Sequence, residues 1–146
     1  MFGMGKKKVK LVSLAAVFIS SNAVKTAEYY RDMIGFKMVE HFNEREKFAA
    51  LYRDEIEIVI VQSKYGKVQS NQQKYGAGYD VYIDPNTVEG VDLIYTELKD
   101  KGVKIISTPQ MTEYGSYEFV IEDIDGRLIG IGRIKNNKQF FGNTKK

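Results

Sequence analysis

Glu57, Asp80 and Glu118, together with Tyr82, Tyr114 and Tyr117, are the side chains whose types could do chemistry as a group. Carboxylates in a partly dry cleft favour a cationic or amine-bearing ligand by Coulomb attraction, and phenol rings beside them add stacking or cation–π contact. The same three carboxylates could instead hold a hard cation such as Mg²⁺ or Mn²⁺ through oxygen ligands. A third possibility is metal-free acid–base chemistry, with one buried carboxylate as proton acceptor and a tyrosine as donor. Several other chemistries are closed. With no cysteine there is no thiolate nucleophile, disulfide, zinc ribbon or iron–sulfur site. The single histidine, His41, rules out sites that need two imidazoles. Gly76-Ala77-Gly78 is too short for a phosphate loop and is not followed by a helix.

Which of these groups share a surface follows from the two-residue period of a strand. Pairing across the turn Asp123-Ile124-Asp125-Gly126 sets Phe119, Ile121, Ile129 and Ile131 on a bulky core face, and Glu118, Val120, Gly130 and Gly132 on the other. By the same test Ile56, Ile58 and Ile60 are core, and Glu57, Val59 and Val61 face away. Leu14, Ala16 and Phe18 are the core set of the first strand, leaving Ser13, Ala15 and Val17. Val81 and Ile83 are core, leaving Gly78, Asp80 and Tyr82. The expected cleft lining is therefore Ser13, Ala15, Glu57, Val59, Gly78, Asp80, Tyr82, Tyr114, Tyr117, Glu118, Gly130 and Gly132. Glycines two apart, at Gly130 and Gly132, clear one face of a strand for a ligand or another backbone. The competing reading is a solvated face whose carboxylates serve solubility, and a one-residue slip of register would move all of them.

The elements that must position these groups occur twice. A helix runs into a glycine and a strand at Ala27 to Phe36, and again at Ile94 to Val103, with Gly35 and Gly102 each followed by lysine and an apolar pair. The first copy reads as a strand over 10–20, then a helix capped by Asn22 that buries Val24, Ala27, Tyr30 and Met33 or Ile34. Strands follow over 36–42, 48–52 and 56–62. The second reads as a strand over 78–84 and a helix after Pro85-Asn86-Thr87 that packs through Val91, Ile94, Tyr95 and Leu98. Strands follow over 103–108, 116–122 and 127–134. The fold class is thus α+β, with a first βαβββ module at 10–62, a linker at 63–77, a second module at 78–134 and a polar tail at 135–146 that carries Phe140-Phe141. Two such modules form a mixed-sheet half-barrel cleft, expected to be completed in a homodimer.

The composition is that of a globular protein, with 43% hydrophobic and 28% charged residues, which argues against disorder. The apolar run Leu11 to Ile19 is strand-length, far short of the roughly 18 residues of a membrane span, so a cytoplasmic protein without membrane association is expected. The net charge of +3 owes much to lysines at the two ends, and no basic stripe interleaved with aromatics marks a nucleic-acid partner.

Ala27-Glu28-Tyr29-Tyr30-Arg31-Asp32-Met33-Ile34-Gly35-Phe36 resembles the "FYrdvLGF" signature of the vicinal oxygen chelate superfamily. Tyr117 to Gly126 resembles its "reFyvrDPdGn" hairpin, and Glu97 to Val103 its second-helix ending, so the resemblance spans about residues 10–134. That superfamily includes glyoxalase I, extradiol dioxygenases, fosfomycin-resistance transferases, methylmalonyl-CoA epimerase and bleomycin-resistance binding proteins. Its enzymes hold a divalent metal with His, Gln or Glu from the first, fourth, fifth and last strands. The resemblance carries those positions to Ala15, to Val59 (or Glu57 if the register slips), to Gly78 and to Gly130. At most one of these could ligate, so no metal and no cofactor is expected. What the resemblance then implies is a binding protein of the bleomycin-resistance kind, a homodimer that sequesters a small molecule. The alternative it leaves is a lyase, isomerase or dioxygenase with an atypical carboxylate site.

Overall fold

The computed structural model describes residues 8–39, 45 and 47–135. His41 and Phe140-Phe141 lie outside the described residues. The first module contains β1 (Ala15–Ser20), α1 (Ala23–Asp32), β2 (Lys37–Met38), β3 (Phe48–Arg53) and β4 (Ile56–Gln62). After a short helix, α2 (Asn71–Tyr75), the second contains β5 (Val81–Ile83), α3 (Val88–Asp100), β6 (Lys104–Met111), β7 (Ser116–Glu122) and β8 (Leu128–Ile134). The strand orders, β1-β4-β3-β2 and β5-β8-β7-β6, are the same pattern twice. β1 runs parallel to β4 and β5 to β8, while the remaining pairs are antiparallel. Two mixed four-stranded sheets in an open half-barrel are the tandem modules that the duplication predicts.

Local chemistry sets the element ends. The Asn22 side chain accepts from the Lys25 amide and Thr87 from the Gly90 amide, so both long helices start on a side-chain cap. Just beyond them, Gly35 and Gly102 have φ of 83° and 84°, the left-handed geometry that costs glycine nothing.

Several expectations need correction. The first strand begins at Ala15, not at residue 10, and Leu14 is 92% exposed rather than core. Extended apolar sequence forms a strand only where a neighbour offers backbone partners, and β4 pairs back only as far as Ala15. β2 covers Lys37–Met38 in place of 36–42, of which residues 40–42 lie outside the described residues. The supposed linker holds α2, whose capping box pairs the Ser70 and Gln73 side chains with each other's backbone amides. β5 is shortened to Val81–Ile83, and β6 runs on to Met111.

The helix-side faces of both sheets merge into one core. Phe18, Tyr30, Phe36, Leu51, Ile58 and Ile60 from the first module pack in the same cluster as Val91, Leu98, Phe119, Ile121, Ile129 and Ile131 from the second. A polar seam ties the modules beside it. The Tyr30 hydroxyl donates to Asp123 at 2.5 Å, the Thr26 hydroxyl donates to Asp125 at 2.6 Å, and buried Arg127 donates to both carboxylates and to the Ile19 carbonyl. At the far end of the interface Arg53 donates to both oxygens of Glu97 at 2.8 Å and to the Ile34 carbonyl at 2.6 Å. Among the described residues no helix is long and apolar enough to cross a membrane.

Candidate functional site

On the face of the second sheet away from α3, Glu118 of β7 is 2% exposed and accepts three phenol hydroxyls. Tyr79 donates at 2.5 Å, Tyr114 at 2.7 Å and Tyr82 at 3.2 Å. Tyr82 is also hydrogen-bonded to the buried Ser116 hydroxyl, and the Tyr79 and Tyr82 rings stack with centroids 6.2 Å apart. A buried carboxylate is tolerable only when its lone pairs are used, and among the described residues no buried side-chain polar atom lacks a partner.

The glycines make this cluster possible. Gly130 stands opposite Tyr82, and Gly132 opposite Glu118, in the register of β8 with its neighbours. A Cβ on Gly130 would lie 2.8 Å from the Tyr79 ring, and one on Gly132 would lie 2.6 Å from the Tyr82 hydroxyl. The room cleared on this strand is therefore filled by the chain's own rings and by Glu118.

The electrostatics favour the neutral form of the three phenols. Burial, then the hydrogen bond and charge of Glu118, raise the Tyr79 phenol well above its usual value. Burial pushes Tyr82 up to about 12, the Glu118 charge adding to the shift while the Ser116 bond opposes it. Tyr114 is raised by burial and by its bond to Glu118. Each hydroxyl donates to the carboxylate, and Tyr82 also meets the Ser116 hydroxyl, while Tyr82 and Tyr114 as residues stay partly exposed at the edge of the cluster.

Of the residues expected to line one cleft, the structure brings Tyr82, Tyr114, Glu118, Gly130 and Gly132 together. Tyr117 points to the helix side, where its hydroxyl donates to Asp92 of α3 at 2.7 Å. Adjacent strand residues cannot share a face, which separates it from Glu118. Asp80 accepts from the Asn71 and Leu128 amides, both at 2.9 Å, and so fastens α2 and β8 to the entry of β5. Glu57 lies on the other sheet, opposite Ala15, and accepts from Tyr52 at 2.6 Å. Val59 pairs with Val17 in that sheet, Ser13 precedes β1, and Gly78, with φ of 86°, precedes β5.

Tyr79 is the member that sequence reasoning missed. Strand alternation counted back from Val81 assigns it to the core side, but the regular period does not extend past the strand start, next to the left-handed Gly78. Two glycines facing one surface are the signal that something bulky from a neighbour fills it.

The positions carried over for a divalent metal do not fit one. Ala15, Val59, Gly78 and Gly130 offer no side-chain donor; the register sets Glu57, the alternative to Val59, level with Ala15 and Tyr82, not Gly78, level with Gly130, which leaves Glu57 as the one carboxylate among them. The three carboxylates stand apart, and among the described residues no three of His, Cys, Asp and Glu gather as a metal site would require.

The geometry can be set against known proteins. No curated protein matches the chain in sequence. Among solved structures it is similar to TioX from Micromonospora sp. ML1, with 14% identity, a TM-score of 0.63, and coverage of 84% of this chain and 98% of that one. A glyoxalase/bleomycin resistance protein/dioxygenase from Nocardioides matches at 11% identity and a TM-score of 0.65, over 89% of this chain and 87% of that one. Lactoylglutathione lyase from Agrobacterium tumefaciens matches at 14% and 0.62, over 86% and 95%. At such identities these likenesses speak to the fold alone. The model of one family matches residues 13–131, both modules and everything between them. With the doubled βαβββ order and the two signature segments inside that span, the chain belongs to the glyoxalase/bleomycin resistance protein/dioxygenase superfamily.

Proposed function

We propose that this chain binds and sequesters a small organic cation without transforming it, in the manner implied by the resemblance to the bleomycin-resistance members. The observation that carries this reading is Glu118, a buried carboxylate wrapped by three phenols, two of them, Tyr82 and Tyr114, on partly exposed residues. An ammonium donor would hydrogen-bond to the Tyr82 and Tyr114 oxygens, with their rings available for cation–π contact. The enzymatic alternative finds little support in residues that supply no donors at the family's metal positions.

The ligand site is completed by a second copy of the chain. The open face of the first sheet leaves Val17 59% and Ile19 46% exposed, and the arm before β1 carries Val9, Leu11, Val12 and Leu14 at 88% exposure or more. Apolar surface of this extent favours a protein partner. Set against the tyrosine face of another copy, it would enclose the ligand.

Calorimetry with cationic aromatic amines tests the reading. Binding is expected in the native chain and weakened about tenfold or more by Glu118→Gln, a loss typical of a charge-assisted contact. Equal affinity in the variant would remove Glu118 from the account. Gel filtration at micromolar concentration should give a dimer, and Val17→Lys should shift it toward monomer.

A further inference from the structure

We infer that a groove between the two modules, on the helix side, is a second ligand site, shaped for a lipophilic organic cation. Its volume is about 730 Å³, within the range of roughly 300–1,000 Å³ common for small-molecule sites. Phe36 of the first module and Leu98 and Ile131 of the second line it, all core residues exposed by 3% or less. The groove therefore opens directly onto the shared core. At its mouth Leu93 of α3 stands 72% exposed, a large apolar side chain held in water.

Charge selects the class of ligand. Asp54 and Glu55, in the turn between β3 and β4, and Asp84, after β5, bring three exposed carboxylates to the rim. The one cation among the described lining residues, Arg53, is held by both oxygens of Glu97 and by the Ile34 carbonyl and lies 3.9 Å from Asp54, so one arginine faces several carboxylates and the balance at the rim stays negative. A chain of net charge +3 thus presents a negative mouth over an apolar floor. An apolar body with one positive group satisfies both, and an anion of the same bulk is repelled.

This site is separate from the tyrosine cluster. Ile131 and Gly130 are successive residues of β8, so the groove and the cluster lie on opposite faces of one sheet. The proposal does not depend on the function assigned to Glu118.

Fluorescence titration of the full chain with thioflavin T, a benzothiazolium cation, and with anilinonaphthalene sulfonate, an anion of similar bulk, provides the test. Thioflavin T is expected to saturate at one per chain, with the anion about tenfold weaker, as three rim charges would dictate. Leu93→Lys, a change at an exposed position that leaves the core intact, should weaken thioflavin T about tenfold by the same rim electrostatics and favour the anion. Glu118→Gln should leave thioflavin T binding unchanged, because the quaternary nitrogen of this dye has no N–H to give the phenol oxygens at Glu118. Loss of dye binding in Glu118→Gln but not in Leu93→Lys would place the dye at the tyrosines and overturn the proposal. So would equal affinity for the two dyes. A change of sedimentation in Leu93→Lys, with no dye bound by the native chain, would give the groove to a second copy and equally overturn it.

Discussion

Val59 and Gly130 occupy equivalent places in the two modules: each sits on the last strand of its sheet, paired with the first, Val59 with Val17 and Gly130 with Tyr82. Around Val59 the open face is apolar, with Val17 and Ile19 in solvent and one polar pair, Tyr52 and Glu57. Around Gly130 it is a knot of three tyrosines, a serine and a buried carboxylate. The duplicated backbone leaves both faces the same space. In one sheet the strand's own side chains fill it, and in the other the bulk has passed to its neighbours, together with hydroxyls and a charge. One scaffold thereby carries a largely apolar wall with a single tyrosine–carboxylate pair and a second wall on which three phenols gather around a buried carboxylate.

The largest effect expected is on the frame that holds the two faces together. Arg127→Ala strands Asp123 and Asp125 at the seam without their cation. It should cost about 4 kcal/mol, the scale of a broken buried pair. Chemical denaturation should then show both modules failing in one transition, whereas two separate transitions would mean that the faces rest on independent domains.

Exchanging the equivalent residues breaks the comparison directly. Gly130→Val drives a side chain into the Tyr79 ring and should cost about 3 kcal/mol by overpacking. The thermal midpoint should fall by about 10 °C. Val59→Gly, on the half-buried apolar face, should cost about 1 kcal/mol, mostly through backbone entropy. Similar losses for the two variants would erase the distinction between the faces.

Alkaline titration sharpens it further. Burial and Glu118 hold Tyr82 up at about 12, against an ordinary 10.0. A folded-state value raised in this way stabilises the protein below pH 10, and that contribution fades as pH rises through 12. Absorbance of tyrosinate should show the phenols around Glu118 ionising well above pH 10, with unfolding setting in before their titration is complete.

The smallest effect belongs to Arg53 and Glu97, a partly exposed pair whose hydrogen bond holds the Glu97 carboxyl below its usual 4.5. Its contribution is whole above that value and lost as pH falls below it. Glu97→Gln should cost less than about 1 kcal/mol at neutral pH. Thermal melts should show that difference shrinking on acidification.

Much of the fold was legible because it rests on period and punctuation. Phe119, Ile121, Ile129 and Ile131 were assigned to the core by alternation across a turn whose residues fix the register, and all four are buried. Gly35, Gly102, Asn22 and Thr87 marked helix ends through backbone chemistry local to a few residues. Leu14 misled because alternation describes a strand but does not supply its partner. Asp80 and Glu118 illustrate the limit at the candidate site. Both are acids set by alternation on one face of the second sheet, yet one ties down backbone amides and the other gathers phenols.

The sequence by itself determined the doubled module, the helix caps and the hydrophobic faces, since each depends on residue type and on spacing along a few neighbouring residues. Only the tertiary structure decided that Tyr79, Tyr82 and Tyr114 converge on Glu118, that Arg127 locks the seam, and that the modules leave a groove with an acidic mouth. Those arrangements join residues as many as 108 positions apart, as in the bond from Arg127 to Ile19. No local pattern encodes such meetings, because they are fixed by how two sheets pack against one core and not by the period of either.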